Sequence, residues 1–326
     1  MRDMMGSVFG YEPPQGEPAG QFCVDESENC ALLNSGRAAL EVLLRNLPRR
    51  PRCVWVPRFI CDTVTEPICR LGLPLRRYRC DAQMLPLHPL EAGAEDVLLL
   101  VNYFGMADER LDAAASHHPG PVLVDATTAL YAPRPDAAAG IFYSFRKFLP
   151  VADGGLASAC YPLHTLPSEA DDSSERMRFL HLRAEQGAHA AAAAAQEAEN
   201  SLSAPAKRLS PQTRALLGGI DIRRAGERRC ANYRRLHTAL APLNRLSLPD
   251  TPPSAPMCYP FVSAIPGLRD SLIDSGIALP LYWPEVIEST QAHETENRLA
   301  RTLLPLPLDQ RYNEADMERL LELILG

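Results

Sequence analysis

The chain of 326 residues is 46% hydrophobic and 22% charged, enough apolar material for one large core and a smaller one. Its 33 basic and 40 acidic side chains leave a formal charge of −7, which argues against a nucleic-acid or other polyanionic partner. Nine cysteines without a C-x-x-C pair read as reduced thiols rather than a disulfide framework or zinc site, and no run reaches the about 18 apolar residues of a membrane span.

Residues 1–30 are rich in Pro and Gly and are expected to run extended over the surface. No basic leader precedes an apolar run there, so a soluble, cytoplasmic protein is expected. The stretch LLNSGRAALEVLLRNL opens a helix. Ala39, Leu40, Leu43, Leu44 and Leu47 fall at helical spacing, and Asn34-Ser35-Gly36 supplies capping chemistry. A short strand at 53–56, a helix near 61–71 and a strand at 73–78 follow. VLLLV at 97–101 is a continuous apolar run, the pattern of a strand buried on both faces. A helix over 108–117 leads to strands at 122–124, 140–145 and 154–159.

Strands alternating with helices predict an α/β fold on a mainly parallel sheet. Ligands of such sheets bind at the carboxyl ends of the strands, where Asp125 and Ser144 fall. From about 165 the chain turns helical, through an alanine-rich segment and then a long arginine-rich helix. After about 245 a small α+β unit is expected from RLSLP, CYPFVSAI, a helix near 267–275, IALPLYW and a closing amphipathic helix. The expected division is an N-terminal segment 1–30, a large α/β domain 31–240 and a small domain 241–326.

The chain lacks a G-x-G-x-x-G after a strand, a P-loop, H-E-x-x-H and G-x-S-x-G. His117 and His118 are adjacent, so on a helix they point about 100° apart and make poor co-ligands. No metal site is expected. Three pieces remain. SGRAAL places backbone N–H groups at a helix N-terminus, a site for an anion. Asp125 is a carboxylate at a strand end. Lys147, in YSFRKFLPVADGG, is an amine between a strand and a Gly-Gly turn. Anion cup, carboxylate and lysine are the parts needed to hold pyridoxal phosphate, as receptor of the phosphate, partner of the pyridine nitrogen and covalent attachment point.

The sequence resembles the DegT/DnrJ family of pyridoxal-phosphate-dependent aminotransferases. The resemblance is carried in order by LLNSGRAALEVLL, VPRFICDTVTEPICRLGLPLRRYRCD, VNYFGMAD, VLVDATTALY, FYSFRKFLPVADGGLA and LLPLPLDQRYNEADMERLLELI. It implies the fold type I architecture of the aspartate aminotransferase kind, a three-layer α/β domain with a smaller C-terminal α+β domain. It also implies a homodimer with shared active sites. The implied reaction moves an amino group from glutamate or glutamine to a keto group of a nucleotide-linked sugar or related carbonyl compound. The alternative is a member that binds the cofactor without transaminating.

Residue by residue, the resemblance makes Lys147 the Schiff-base lysine and Asp125 the partner of the ring nitrogen. Thr128 stands near the ring hydroxyl. Ser35, Gly36, Arg37 and Ser144 form the phosphate cup, and Phe59 or Cys61 stacks on the ring. Three departures stand out. The interval from Ser144 to Lys147 is shorter than the family's. The family's G-x-N-Y-R segment has no clear match, leaving Lys207 or Arg208 in its region. Arg146 is a cation where the family rarely has one. Lys147 itself argues against the dehydratase variant, which carries His at that place.

Overall fold

The computed structural model describes residues 4–13, 27–203 and 205–326. The first strand, β1 (Cys30–Leu33), runs straight into helix α1 (Gly36–Arg45). Next come β2 (Val54–Pro57), α2 (Thr65–Arg70), β3 (Leu75–Tyr78), β4 (Val97–Val101), α3 (Asp108–Ser116), β5 (Val122–Ala126), β6 (Gly140–Ser144) and β7 (Gly155–Ala159). These seven strands form one sheet in the order β1-β7-β6-β5-β4-β2-β3. Pairing is parallel from β3 through β6, while β7 runs antiparallel to both β6 and β1. Every residue of β2, β4, β5 and β6 is buried, so these strands need no polar face and read as continuous apolar runs.

Helix α1 shows why a local signal survives into the fold. Ser35 caps it, its side chain accepting from the Ala38 N–H at 3.1 Å. Ala38, Ala39, Leu40, Val42, Leu43 and Leu44 are buried, and α1 lies against β6 and β7. Glu41 is buried too, but Arg45 and Arg70 each hold one of its oxygens, at 2.8 and 2.6 Å.

The remaining helices are α4 (Arg178–Gln186), α5 (Ala188–Asn200), α6 (Pro211–Leu217), α7 (Ile222–Leu240), α8 (Leu268–Asp274), α9 (Pro284–Ser289), α10 (Thr295–Thr302) and α11 (Glu314–Leu325). A second, two-stranded sheet pairs β8 (Tyr259–Val262) antiparallel with β9 (Leu303–Leu306).

The structure corrects the expectation in three places. Cys30–Leu33 is a strand because its partner β7 lies far along the chain and pairs with it residue for residue. The run IALPLYW contributes only a single bridge at Ile277, and the partner of β8 is β9, whose Pro305 had masked it as a strand. Residues 4–13 do not all lie on the surface. Met5 and Phe9 are buried, Met5 N–H donates to Gly276 O, and Arg311 holds the Val8 carbonyl at 2.9 Å. Residues 1–3 and 14–26 of the expected N-terminal segment lie outside the described residues.

Candidate active site

A cleft of about 610 Å³ opens at the carboxyl ends of β4, β5 and β6. Two glycines let the start of α1 reach it. A Cβ on Gly155 would lie 2.4 Å from the Ser35 carbonyl oxygen, and one on Gly36 would lie 2.8 Å from the Thr127 methyl. The N-terminus of α1 therefore meets the end of β6, where Ser144 lines the cleft. The short interval to Lys147 does not remove Ser144 from the site.

Asp125 is the penultimate residue of β5 and is buried. Thr127 N–H donates to its Oδ1 at 2.8 Å. Burial pushes the carboxyl above its usual range, while the Lys147 charge and the Thr127 hydrogen bonds pull it partway back. Lys147 Nζ donates to Thr127 Oγ1 at 3.2 Å. Thr127 thus bridges the amine and the carboxylate. Thr128 lines the same cleft, but its hydroxyl donates to Asn102 O at 3.0 Å and accepts from Phe104 N–H at 3.2 Å. Its hydroxyl is committed to the backbone, so it holds the cleft wall rather than offering a free donor.

The loop after Lys147 is pinned from behind. Phe148 O accepts from Arg229 Nη2 at 3.2 Å and Gln310 Nε2 at 2.8 Å. Asp153 accepts from the Ser210 hydroxyl at 2.8 Å and its N–H at 3.2 Å, tying the loop to the first turn of α6. Lys147, exposed at the head of a turn that is otherwise buried, is thereby given a fixed origin.

Arg37 and Arg146 stand at the α1 end of the cleft, and both line it. They share one carboxylate: Glu199, in the last turn of α5, gives Oε1 to Arg37 Nη2 at 2.9 Å and Oε2 to Arg146 Nη2. Burial would raise the Glu199 carboxyl, but Arg146 first, then Arg37 and Lys147, hold it below the usual range. Arg146 Nε is buried with no partner.

Cys61 lines the cleft with its thiol 3.1 Å from the Thr63 hydroxyl, whereas Phe59 does not line it. The Phe59 ring is fully buried between Tyr103 and Trp283, with ring centroids 5.4 and 4.6 Å away. The aromatic wall comes instead from Tyr282 and Trp283, ahead of α9. Trp283 adopts the left-handed conformation with φ 54, a strained state for a bulky side chain beside a cleft. Lys207 and Arg208 are not brought into this cleft. Lys207 Nζ lies 3.7 Å from Asp171, and Arg208 Nε donates to Pro167 O. The sequence reading missed Thr127, Glu199, Tyr282 and Trp283. Thr127 was legible as the neighbour of Asp125; Glu199 sits in an alanine-rich helix that carries no site signal.

A second hollow of about 570 Å³ shares Val8, Arg146, Lys147 and Glu199 with the cleft and extends to Met257, Leu279 and Arg311. Among the described residues, no cluster of His, Cys, Asp and Glu is arranged to hold a metal ion. None of their helices is long and apolar enough to cross a membrane.

No family model matches the chain, and no curated protein matches it in sequence. Solved structures do match, over most of both chains. A DegT DnrJ EryC1 StrS aminotransferase from Brucella abortus superimposes with a TM-score of 0.60 at 20% identity, covering 91% of this chain and 85% of its own. The aminotransferase TlmJ from Streptoalloteichus hindustanus gives 0.64 at 18% identity, covering 91% and 85%. Spr1654 from Streptococcus pneumoniae, in its PLP form, gives 0.64 at 15% identity, covering 98% and 97%. The chain therefore has the α/β fold of type I aminotransferases.

Proposed function

We propose that the protein is a pyridoxal-phosphate-dependent aminotransferase acting on a keto group of a nucleotide-linked sugar or related carbonyl compound. The observation that carries this reading is the buried Asp125 carboxylate in one cleft with Lys147 and the Arg37–Arg146 pair. A buried carboxylate with one backbone donor calls for a cationic N–H partner, which a protonated pyridine nitrogen supplies. The unpartnered Arg146 Nε and the α1 N-terminus fit an anionic group at the other end. The residues present fit the cofactor.

Bound pyridoxal phosphate would supply an electron-withdrawing ring that stabilises negative charge on the substrate carbon. Asp125 would keep the ring nitrogen protonated. Lys147 would hold the cofactor covalently and then carry a proton at Nζ, with Thr127 setting the direction of the amine. Ser35, Gly36, Arg37, Ser144 and Arg146 would bind the phosphate end, and Cys61, Thr128, Tyr282 and Trp283 would wall the ring from water. The adjoining hollow gives room for a substrate larger than the amino donor. Several of the similar structures carry sugar aminotransferase names, CalS13 from Micromonospora echinospora among them, which supports the substrate class. Glutamate or glutamine is the proposed donor. A cytoplasmic homodimer with the domain division 1–30, 31–240 and 241–326 completes the proposal.

The test is direct. Protein incubated with the cofactor should absorb at roughly 410–430 nm, and borohydride should fix the cofactor's mass on the Lys147 peptide. Lys147→Ala should lose both. A reducible link that survives in that variant would sink the reading. Bleaching of the band by glutamate or glutamine separates a transaminating enzyme from a protein that only binds the cofactor.

A further inference from the structure

The three cations at the α1 end of the cleft face an internal carboxylate. Arg37, Arg146 and Lys147 stand against Glu199, with Glu66 as a second, looser partner of Arg37 at 3.4 Å. Glu199 sits between these two arginines in the run of ion pairs Glu66–Arg37–Glu199–Arg146. It spans them, one oxygen to each guanidinium, as two guanidiniums would take two oxygens of a phosphate monoester. Both guanidinium side chains are largely enclosed, whereas the Glu199 side chain is 42% exposed. It is the member of the cluster with space to leave.

Resting on the cofactor reading above, we propose that Glu199 is a resident counter-ion in an anion seat built by Arg37 and Arg146. The phosphate end of the ligand takes the seat by displacing the Glu199 side chain. Charge decides the exchange. With Glu199 in place, a dianionic phosphate added to the cluster leaves a net negative charge and sets the phosphate against a carboxylate across the shared guanidiniums. With Glu199 turned out toward solvent, the three cations are balanced by the phosphate and Glu66 together. The buried, unpartnered Arg146 Nε provides a donor that the carboxylate does not use. The Ser144–Lys147 interval and Arg146 then belong to one arrangement: the lysine's neighbour contributes a guanidinium to the phosphate end.

The experiment is calorimetric titration of the full-length, cofactor-free protein with inorganic phosphate and, separately, with pyridoxal phosphate. Glu199→Gln keeps the side chain's size and removes its charge, so it should bind phosphate about fivefold tighter than the unaltered protein. Arg146→Gln should bind it more weakly by a similar factor. Glu199→Ala serves as a second variant, and circular dichroism melts report whether each is folded. Folded Glu199→Gln and Glu199→Ala proteins that bind phosphate no tighter than the unaltered chain would overturn the displacement. The two readings fail separately. If Lys147 links to the cofactor but the Glu199 variants bind phosphate unchanged, the counter-ion proposal falls alone. If the Glu199 variants bind phosphate tighter while no reducible link forms at Lys147, the seat stands and the cofactor reading falls.

Discussion

Lys147 and Thr127 meet at 3.2 Å, amine to hydroxyl, while the Thr127 N–H holds the Asp125 carboxylate at 2.8 Å. One residue therefore orients the amine through its side chain and the carboxylate through its backbone. Thr127→Val removes the hydroxyl, and with it the contact to the amine and the side-chain hydrogen bond to Asp125, but keeps the backbone N–H that holds the carboxylate. The variant should still take up cofactor on Lys147, because Asp125 keeps its N–H partner. The rate at which an amino donor bleaches the cofactor band should fall about tenfold, the size expected for one hydrogen bond to a charged group. Stopped-flow absorbance measures it, and an unchanged rate would show that Thr127 does not aim the amine.

Asp125 should trade stability for binding. Its carboxyl is raised by burial, so the folded protein holds its proton more tightly than the unfolded chain does. The stabilising contribution is complete below the ordinary aspartate range and is lost as pH rises through the raised value. Asp125→Asn should then make the cofactor-free protein more stable at pH 7, by about 1 kcal/mol, and change it little at pH 4. The same variant should bind the cofactor more weakly. Thermal melts at the two pH values check the sign.

Gly155 is where strand β7 passes under the first turn of α1. A methyl group there would overlap the Ser35 carbonyl, which is backbone and cannot swing aside. Gly155→Ala should destabilise the fold by about 2 kcal/mol and weaken anion binding by moving the start of α1. Denaturant titration and phosphate calorimetry read the two effects. Full stability in that variant would mean the helix start can shift freely.

Arg229 is fully buried and spends its donors on Phe148 O, Pro256 O, Met257 O and Gln310. Burial lowers its pKa, yet the surrounding carbonyls remain good partners for a cation. Arg229→Met should cost about 2–4 kcal/mol, since it strands several buried acceptors. Gln310→Ala, which removes the other donor to Phe148 O, should leave the fold intact but let the Lys147 turn move. The readout is the pH profile of the donor half-reaction, which a merely structural role would not shift.

Much of the large sheet was legible because its strands are buried on both faces, as the uninterrupted runs at 97–101 and 122–124 announce. Helix α1 was legible because a serine cap, a glycine and an apolar stripe agree locally. Strand β1 was not, since four residues that pair with β7 carry no periodicity of their own. Strand β9 was hidden by Pro305, tolerated because its sheet has only two strands and both are edges.

By itself the sequence determined which chemistry-bearing residues exist and in what order: a capped helix start at Ser35, a strand-end carboxylate at Asp125 and a lysine before a Gly-Gly turn. Those are local facts, set by capping, burial of apolar runs and turn chemistry. Only the tertiary structure decided that Phe59 turns inward behind the cleft while Tyr282 and Trp283 form its aromatic wall. It alone decided that Thr127 joins Lys147 to Asp125, and that Glu199, from an alanine-rich helix, reaches the same arginines as the α1 cup. These relations depend on side-chain direction and on contacts between residues distant in the chain, which no local pattern encodes.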